Sequence, residues 1–417
     1  MSEKTRAEQL AIFGGTPAFS EADSLHVGRP NVGDTKRLLD RIAGAIEQRR
    51  LTNDGPFVRE LERRLTEILD VPYCVAVGSG TLGLQVAARS LGLQGEVIVP
   101  SLTFVATAHA LEWMGIRPVF GDVDPDSLGL DPRAAMKLVT ARTSAILGVH
   151  LWGRPCRVEE LQSVAADRGL RLLLDAAHAF ACTRGAVPIA RFGDATVFSF
   201  HATKIVNAFE GGAIATRDAE LAARARLVRN FGFAGYDEVV CLGINGKMSE
   251  ASAAMALTSL ESLDEFLAAN RRNYDVYREA LAGLPGVGLL APGTGDGWNH
   301  HYVALEIDPP VAGLDRDHVL SVLWAERIFA RRYFHPGCHR MEPYASREPD
   351  AGRRLPVTER VLARVLLLPT GTAVRSRDAA AVAAIVRTAV VHASAVRTRL
   401  AAARSDAAPE TPAPPST

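Results

Sequence analysis

The stretch Arg171-Leu172-Leu173-Leu174-Asp175-Ala176-Ala177-His178 places three consecutive leucines before a carboxylate and a nearby histidine. A continuous apolar run of this kind suits a β-strand that is buried on both faces, as in a parallel sheet covered by helices. Helical patterns alternate with such runs, which predicts a doubly wound α/β domain. The predicted strands are residues 74–77, 96–100, 118–122, 145–150, 171–175, 196–200 and 212–216, and the predicted helices between and after them are 82–91, 106–114, 158–167 and 218–228.

The length of 417 residues predicts two domains, because a single hydrophobic core rarely grows that large. We expect an N-terminal segment (1–50), a large domain (51–265) with a mostly parallel seven-stranded sheet, and a smaller C-terminal α/β domain (266–400). Long amphipathic helices are expected within 248–281, followed by a Gly- and Pro-rich break at 283–297. In the smaller domain a strand is expected at 301–307 and helices at 315–326 and 377–394. Residues 401–417, which end in APETPAPPST, are predicted to be disordered.

Charge and composition bear on the class of partner and on the compartment. The 47 basic and 47 acidic side chains cancel, so there is no electrostatic case for a nucleic-acid or membrane-surface partner. No apolar run approaches the roughly 20 residues of a membrane span, and residues 1–10 lack a signal-peptide core. We expect a cytoplasmic protein with five free thiols, since the five cysteines are scattered and form no CxxC pair.

The motif Gly78-Ser79-Gly80-Thr81-Leu82-Gly83 follows a strand and opens a helix. It allows a dinucleotide-binding interpretation, but the next predicted strand ends in Pro100-Ser101 without the carboxylate that a ribose requires. The backbone N–H groups of Gly80 and Thr81 are still suited to a phosphate group at a helix N-terminus. A simple tight turn remains the alternative.

Lys204 lies just beyond the strand predicted at 196–200, among neutral residues such as Ile205 and Val206. Open α/β sheets bind ligands at the carboxyl ends of their strands, and a desolvated lysine has a lowered pKa and becomes a better nucleophile. Viewed alone, a solvated surface lysine is the competing interpretation.

Four residues complete a possible pyridoxal-phosphate (PLP) site, which requires a lysine, a carboxylate for the pyridine nitrogen, phosphate donors and a flat contact for the ring. Asp175 can pair with the pyridinium or cap a helix, and His178 can contact the ring or pack in a loop. Ser199 can donate to the phosphate or face a neighbouring strand. Phe104 can stack on the ring or belong to the core.

Together these residues resemble the DegT/DnrJ/EryC1/StrS family of sugar aminotransferases, which are fold-type I PLP enzymes. The resemblance extends from about residue 51 to 390, and its motifs occur in the order typical of the family. They are LTNDGPFVRELE, VAVGSGT, VIVPSLTFVATAHAL, GVHLWGRPC, LLLDAAHAF, FGDATVFSFHATK, EGGAIAT, VRNFGF, INGKMSE and SLESLDEF.

The resemblance implies that Lys204 forms the imine with PLP, Asp175 pairs with the pyridinium and His178 lies near the ring. It also implies a homodimer in which Asn245 reaches the phosphate in the partner subunit. Similar dehydratases carry His at the lysine position, so Lys204 favours amino transfer. The implied cycle is ping-pong. An amino acid, expected to be glutamate, first converts PLP to pyridoxamine phosphate, and the pyridoxamine phosphate then aminates a ketosugar. Lys247 departs from the family's usual arginine.

The segment from Ala330 to His339 resembles the C-terminal part of aminotransferases that act on dTDP-4-keto-6-deoxyhexoses for antibiotic sugars. The resemblance implies a nucleotide-sugar substrate, with arginines contacting the diphosphate unless they form ion pairs within the chain. Residues 298–302 can line the same pocket or simply enter a strand. The expected substrate-binding residues are Arg331, Arg332, Tyr333, His335 and His301.

Three alternatives remain open. A C3-ketosugar or a keto-cyclitol can replace the C4-ketosugar as substrate, and the protein can be a non-catalytic, PLP-binding regulator. His335, Cys338 and His339 have a spacing that can suggest zinc, but no second ligand pair accompanies them, so no metal is expected.

Overall fold

The protein is described from a computed structural model that covers residues 4–291, 293 and 295–406. Its strands in chain order are β1 Leu25–His26, β2 Tyr73–Val77, β3 Glu96–Pro100, β4 Arg117–Gly121, β5 Thr143–Val149, β6 Arg171–Asp175, β7 Thr183–Arg184, β8 Val187–Pro188, β9 Ala195–Ser199, β10 Gly212–Thr216, β11 Val287–Leu289, β12 Val303–Ile307, β13 Ile328–Phe329 and β14 Val365–Leu368.

The α-helices of the described chain surround these strands. They are α1 Thr35–Glu47, α2 Pro56–Leu69, α3 Gly80–Ser90, α4 Ala106–Glu112, α5 Pro132–Leu138, α6 Val158–Asp167, α7 Ala219–Val228, α8 Glu250–Glu261, α9 Leu263–Leu281, α10 Pro309–Ala312, α11 Arg316–Ala325, α12 Tyr344–Arg347, α13 Pro356–Arg364, α14 Ser376–Val391 and α15 Ala393–Asp406.

The large sheet contains seven strands in the order β2-β10-β9-β6-β5-β3-β4. Only β10 runs antiparallel to its neighbours, and the pairs among the other five strands from β9 to β4 are parallel. The seven predicted strands are therefore confirmed, each to within two residues of its observed bounds.

The leucine run of β6 shows why this sheet is central. Leu173 packs with the apolar cluster on one face of the sheet, whereas Leu172 and Leu174 pack with the cluster on the other face. All three side chains are buried. Because successive strand residues point to opposite faces, a continuous leucine run can be buried only in a sheet that is covered on both sides.

The smaller sheet has the order β11-β12-β14 and is antiparallel. It shares a core with α9, α11 and α14, and residues from the chain's beginning (Leu10, Phe19 and Leu25) belong to the same core. β1 also pairs in parallel with β13. The start of the predicted N-terminal segment thus packs on the C-terminal part of the chain, while the domain boundaries stay predictions.

The C-terminal helix corrects the predicted start of disorder at residue 401. α14 ends at Val391, and after a bend α15 continues to Asp406. The run Ala401-Ala402-Ala403 explains this difference, because alanine is the strongest helix former. The Pro-rich residues 407–417 lie outside the described residues.

No single helix in the described ranges is both long and apolar enough to cross a membrane. The pair Ser376–Val391 and Ala393–Ala403 meets those criteria only when taken together, and an 89° bend separates its members.

A buried carboxylate joins the N-terminal residues to the C-terminal part of the chain. Glu326 is fully buried and accepts hydrogen bonds from the backbone N–H groups of Ala11 at 2.8 Å and Ala18 at 2.7 Å. Lys4 Nζ donates to both of its oxygens, at 2.6 and 2.8 Å. One carboxylate thereby satisfies donors from three places in the N-terminal segment.

We expect Glu326→Gln to destabilise this junction, because the amide replaces one acceptor oxygen with a donor that faces N–H groups. The free energy of unfolding should fall by about 3 kcal/mol, as measured by urea denaturation. Hydrogen exchange should rise at residues 7–26. Glu279→Gln, at an exposed position on α9, is the matched control. Equal stability of the two variants would contradict this role.

Candidate active site

The site lies where β5, β6 and β9 end. These strands are parallel neighbours, so their carboxyl ends meet at one edge of the sheet. Asp175 is the last residue of β6 and Ser199 the last residue of β9, and Lys204 follows in the loop after β9. In that loop the backbone N–H of Lys204 donates to the carbonyl of His201 at 2.8 Å. The topology thus brings predicted site residues together from separate segments.

The side chain of Lys204 is half-buried at this edge of the sheet. Its Nζ donates a hydrogen bond to the hydroxyl of Tyr302 at 3.0 Å. Burial lowers the pKa of Lys204 to about 8, although the charge of Asp175 acts in the opposite direction. A substantial fraction of the amine is therefore neutral near physiological pH, which is the form that attacks a carbonyl.

Asp175 is buried beside this amine and has two polar contacts of its own. One oxygen accepts from Thr107 Oγ1 at 2.8 Å, and the other accepts from the backbone N–H of Ala177 at 3.0 Å. Burial raises the pKa of Asp175, and these hydrogen bonds and the charge of Lys204 oppose that rise. A cation placed against this carboxyl would therefore be paired strongly.

His178 is held as a neutral ring. Its Nδ1 accepts from the backbone N–H of Trp152 at 3.2 Å, so its proton is on Nε2. Burial and the charge of Lys204 hold the pKa of His178 well below its usual value. The ring stacks on Phe334 with centroids 5.6 Å apart, and its centroid lies 4.6 Å from that of Tyr302.

A phosphate-sized cradle lies at the start of α3. A Cβ atom added to Gly80 would come within 2.8 Å of Ser199 Cβ, and one added to Gly212 would come within 3.0 Å of the Gly80 backbone nitrogen. Ser79 caps the helix by accepting from Leu82 N at 3.2 Å. The absence of side chains at these two glycines leaves the backbone of the helix N-terminus accessible, as anion binding requires. Thr81, the other predicted donor, is exposed on the first turn.

Phe104 is available for a ring contact and is not part of the core. Its side chain is 56% exposed, and it meets Phe334 with centroids 5.8 Å apart. The lysine, carboxylate, histidine, cradle and aromatic side chain together fit PLP. Lys204 would hold the aldehyde carbon, Asp175 the pyridine nitrogen, and Gly80 and Ser199 the phosphate.

The predicted substrate residues fall into two groups. Tyr333 and His301 are close enough to Lys204 for electrostatic effects on each other's pKa, and His301 Nε2 donates to the carbonyl of Thr203 at 2.8 Å. Arg332, in contrast, donates to Asp317 at 3.2 Å, so it forms an ion pair within the chain, which is the alternative to a contact with the diphosphate. His335 is exposed near the same Asp317.

Cys338 and His339, at the end of the segment from Ala330 to His339, contact other parts of the protein. Cys338 Sγ donates to the carbonyl of Thr103 at 3.4 Å, and His339 lies between Ser101 Oγ and Glu359 Oε1, each at 2.6 Å. No group of three or more possible metal-ligating side chains occurs in the described ranges. Ser101 directly follows β3, the strand after the glycine motif, where a dinucleotide-binding protein would carry its ribose-binding carboxylate. In this protein the Ser101 hydroxyl contacts His339 instead.

Asn245 is exposed and lies on a segment beside the cradle. Gly78 N donates to the carbonyl of its neighbour Gly246 at 2.8 Å, and Asn245 forms a backbone bridge with Asn230. Lys247, the departure from the family's arginine, donates to Asn230 Oδ1 at 2.8 Å.

Three contributors to the site were missed from the sequence. Thr107 supports Asp175, Trp152 fixes His178, and Phe334 provides the stacked face. A partial signal existed for Thr107 and Trp152, since each lies in a loop or helix that follows a strand end. No sequence signal distinguishes Phe334 from its neighbours Tyr333 and His335, which are expected to bind the substrate.

Comparison with known proteins places this site in a family. Residues 33–387 match the model of the DegT/DnrJ/EryC1/StrS aminotransferase family. A dTDP-4-amino-4,6-dideoxy-D-glucose transaminase of Shigella dysenteriae is 36% identical over 315 residues, which cover 75% of this chain and 85% of the relative. The enzyme of the same name from Escherichia coli is 34% identical over 351 residues, covering 84% of this chain and 94% of the relative.

A comparison with solved structures also finds a similar aminotransferase. DesI, crystallised in the presence of its TDP-sugar product, superposes with a TM-score of 0.88 and 49% identity, covering 96% of this chain and all of DesI. The fold is therefore that of fold-type I PLP-dependent aminotransferases, the cofactor is PLP, and the protein is a transaminase. By both sequence and structure, this chain belongs to the DegT/DnrJ/EryC1/StrS aminotransferase family.

Proposed function

We propose that this enzyme transfers an amino group from glutamate to C4 of dTDP-4-keto-6-deoxyglucose, in the biosynthesis of a deoxyaminosugar for an antibiotic or similar natural product. The observation that carries the proposal is the 49% identity with DesI, whose product is a TDP-sugar, over nearly the whole chain. The names of the two transaminase relatives specify the same 4-amino-4,6-dideoxyglucose product.

The side chains divide the work of amino transfer. Bound PLP supplies a ring that accepts electrons from the substrate's Cα. Asp175 would stabilise a proton on the pyridine nitrogen, since a buried carboxylate favours an adjacent cation. Lys204 Nζ, with its pKa lowered to about 8, can accept a proton from the Cα of the amino-acid donor and would return it to C4′ of the cofactor. His178 can donate only from Nε2, because Nδ1 accepts from Trp152.

Buried aromatic rings line one side of the site. Tyr302, Phe334 and Trp152 belong to one apolar cluster around His178. A low-dielectric wall strengthens the pairing between Asp175 and a cation and keeps water from competing for the proton.

The purified enzyme tests the function directly. With glutamate and dTDP-4-keto-6-deoxyglucose we expect 2-oxoglutarate and a sugar nucleotide with nitrogen at C4, identified by NMR. Lys204→Ala should lose the imine absorbance and turnover. An amine at C3, or turnover only with a keto-cyclitol, would reassign the substrate. If the protein bound PLP but turned over no ketosugar, the result would favour the alternative of a non-catalytic, PLP-binding regulator.

We further propose that Arg331, and not Arg332, contacts the substrate's diphosphate. In the part of the chain that the structure describes, Arg331 forms no ion pair, whereas Arg332 pairs with Asp317. Arg29 likewise has no carboxylate partner there, and the charges of Arg29 and Arg331 both lower the pKa of His26. Two guanidinium groups without acidic partners near one imidazole favour an oxyanion ligand.

Arg331→Gln should raise KM for the nucleotide sugar by about tenfold, the effect of losing one charge-assisted contact, and leave the KM for glutamate nearly unchanged. Steady-state kinetics with each substrate varied in turn gives both values. Arg332→Gln should have a smaller effect, and Arg353→Gln, at an exposed surface pair, serves as the control. An equal rise for Arg331→Gln and Arg353→Gln would contradict this assignment.

We also propose a homodimer with shared active sites. Exposed apolar side chains support this, because clusters of such side chains on soluble proteins often mark interfaces. They occur in the segment that carries Asn245, at Phe231, Phe233, Val239, Val240, Leu242 and Ile244, and separately in the N-terminal region, at Val32, Leu39, Ile46 and Leu51.

Subunit mixing tests the sharing. When Lys204→Ala and Asn245→Ala subunits are coexpressed in equal amounts, each hybrid dimer should contain one intact site, which would restore about a quarter of the wild-type activity. Mixing Lys204→Ala with Asp175→Ala should restore none, because those two residues serve the same subunit's site. Equal recovery, or none, in both mixtures would exclude sharing through Asn245.

A cytoplasmic location remains a proposal that the cysteines support. All five are free thiols in the structure, which is typical of proteins in a reducing compartment.

A further inference from the structure

We propose that Tyr302 holds the ε-amine of Lys204 whenever that amine is not bonded to the cofactor, and thereby places it for proton transfer. The inference adds a residue to the machinery of the transaminase. It depends on the amino-transfer chemistry of the family and not on the identity of the ketosugar, so either proposal can fail without the other.

The contact is a directed hydrogen bond. Lys204 Nζ lies 3.0 Å from the Tyr302 hydroxyl oxygen but 5.6 Å from the centre of the ring. The amine is therefore bound at the hydroxyl rather than over the ring face. Within the described residues this is the only hydrogen bond of Nζ.

A phenol suits both forms of this amine. Burial raises the pKa of Tyr302, so its hydroxyl stays protonated, and a hydroxyl can donate one hydrogen bond and accept others. It can accept from the ammonium form of Lys204 or donate to the lone pair of the neutral form. A residue that takes up and returns a proton exists in both forms during one turnover, and Tyr302 can keep it in place in each.

The position of Tyr302 is itself fixed. The residue precedes β12 of the smaller sheet, and Asn299 anchors this stretch to the large domain by donating to the carbonyls of His178 at 2.9 Å and Phe180 at 3.0 Å. The Tyr302 ring lies between those of His178 and His301, with centroids at 4.6 and 4.9 Å. The hydroxyl therefore has little freedom to follow a moving amine.

The other groups that face the amine cannot replace Tyr302 in this structure. Asp175, His178, His301 and Tyr333 affect or are affected by the charge of Lys204, yet none of them hydrogen-bonds to Nζ. Asp175 uses its oxygens for Thr107 and Ala177, and His301 Nε2 donates to the carbonyl of Thr203. Loss of the Tyr302 hydroxyl would leave the free amine without a positional restraint.

The first test follows the half-reaction of the PLP-loaded enzyme with glutamate by stopped-flow absorbance. Tyr302→Phe keeps the ring and should keep the bound PLP and the melting temperature, but the rate of Cα proton removal should fall by about 10- to 100-fold. The isotope effect with Cα-deuterated glutamate should increase, because proton transfer then limits the rate more strongly. A merely structural role would not change the isotope effect.

Tyr344→Phe is the matched control. Tyr344 is also buried, its hydroxyl has no hydrogen-bond partner, and it packs against Phe120, away from Lys204. This variant should match the wild type in rate and isotope effect. Equal behaviour of the two variants, whether both are normal or both impaired, would overturn the proposal.

The second test uses the cofactor-free protein and needs no turnover. The rate of covalent PLP capture, followed by absorbance, should rise with pH as the Lys204 amine loses its proton. Tyr302→Phe removes both hydrogen bonds, of which the charge-assisted one to the ammonium form is the stronger, so the midpoint of this rise should move to lower pH by roughly half a unit. An unchanged midpoint together with an unchanged isotope effect would reject the role of Tyr302.

Discussion

The desolvation of one amine and one carboxylate at the edge of a parallel sheet is the constraint on which the site depends. Burial lowers the pKa of Lys204 and raises that of Asp175, so each group is shifted toward its neutral form. Left alone, such groups are costly to a fold. A cofactor with a carbonyl carbon at one end and a basic ring nitrogen at the other would meet both needs, since it would bond to the amine and give the carboxylate a cation.

The scaffold keeps these groups together through contacts that span the chain. Asp175 is supported by Thr107 from α4, His178 by Trp152 from the loop after β5, and Lys204 by Tyr302 from the entry to β12. Each support comes from a different segment, and Tyr302 comes from the entry to the smaller sheet. Residues next to both sheets thus contribute to one site, and a shift of the smaller sheet would move Tyr302 away from the amine.

The sequence was informative where local patterns determine structure. Strands buried on both faces and a glycine-rich turn are local signals, so the seven strands and the placement of Lys204 and Asp175 at the sheet edge could be predicted. The supports of Thr107, Trp152 and Phe334 depend on which distant segments meet. The same holds for Arg332, whose pairing with Asp317 decides between a substrate contact and an internal ion pair. The extension of α15 to Asp406 shows that a Pro-rich end does not determine where the preceding helix stops.

The pairing of β1 with β13 affects how the molecule can be made. Leu25 lies beside Ile328, so the first strand to leave the ribosome has no partner until most of the chain has been synthesised. The large sheet, whose strands all lie between these two, can form in the meantime. A truncation that removes the residues up to β1 would therefore damage the carboxyl-terminal core first, although these residues are remote from that core along the chain.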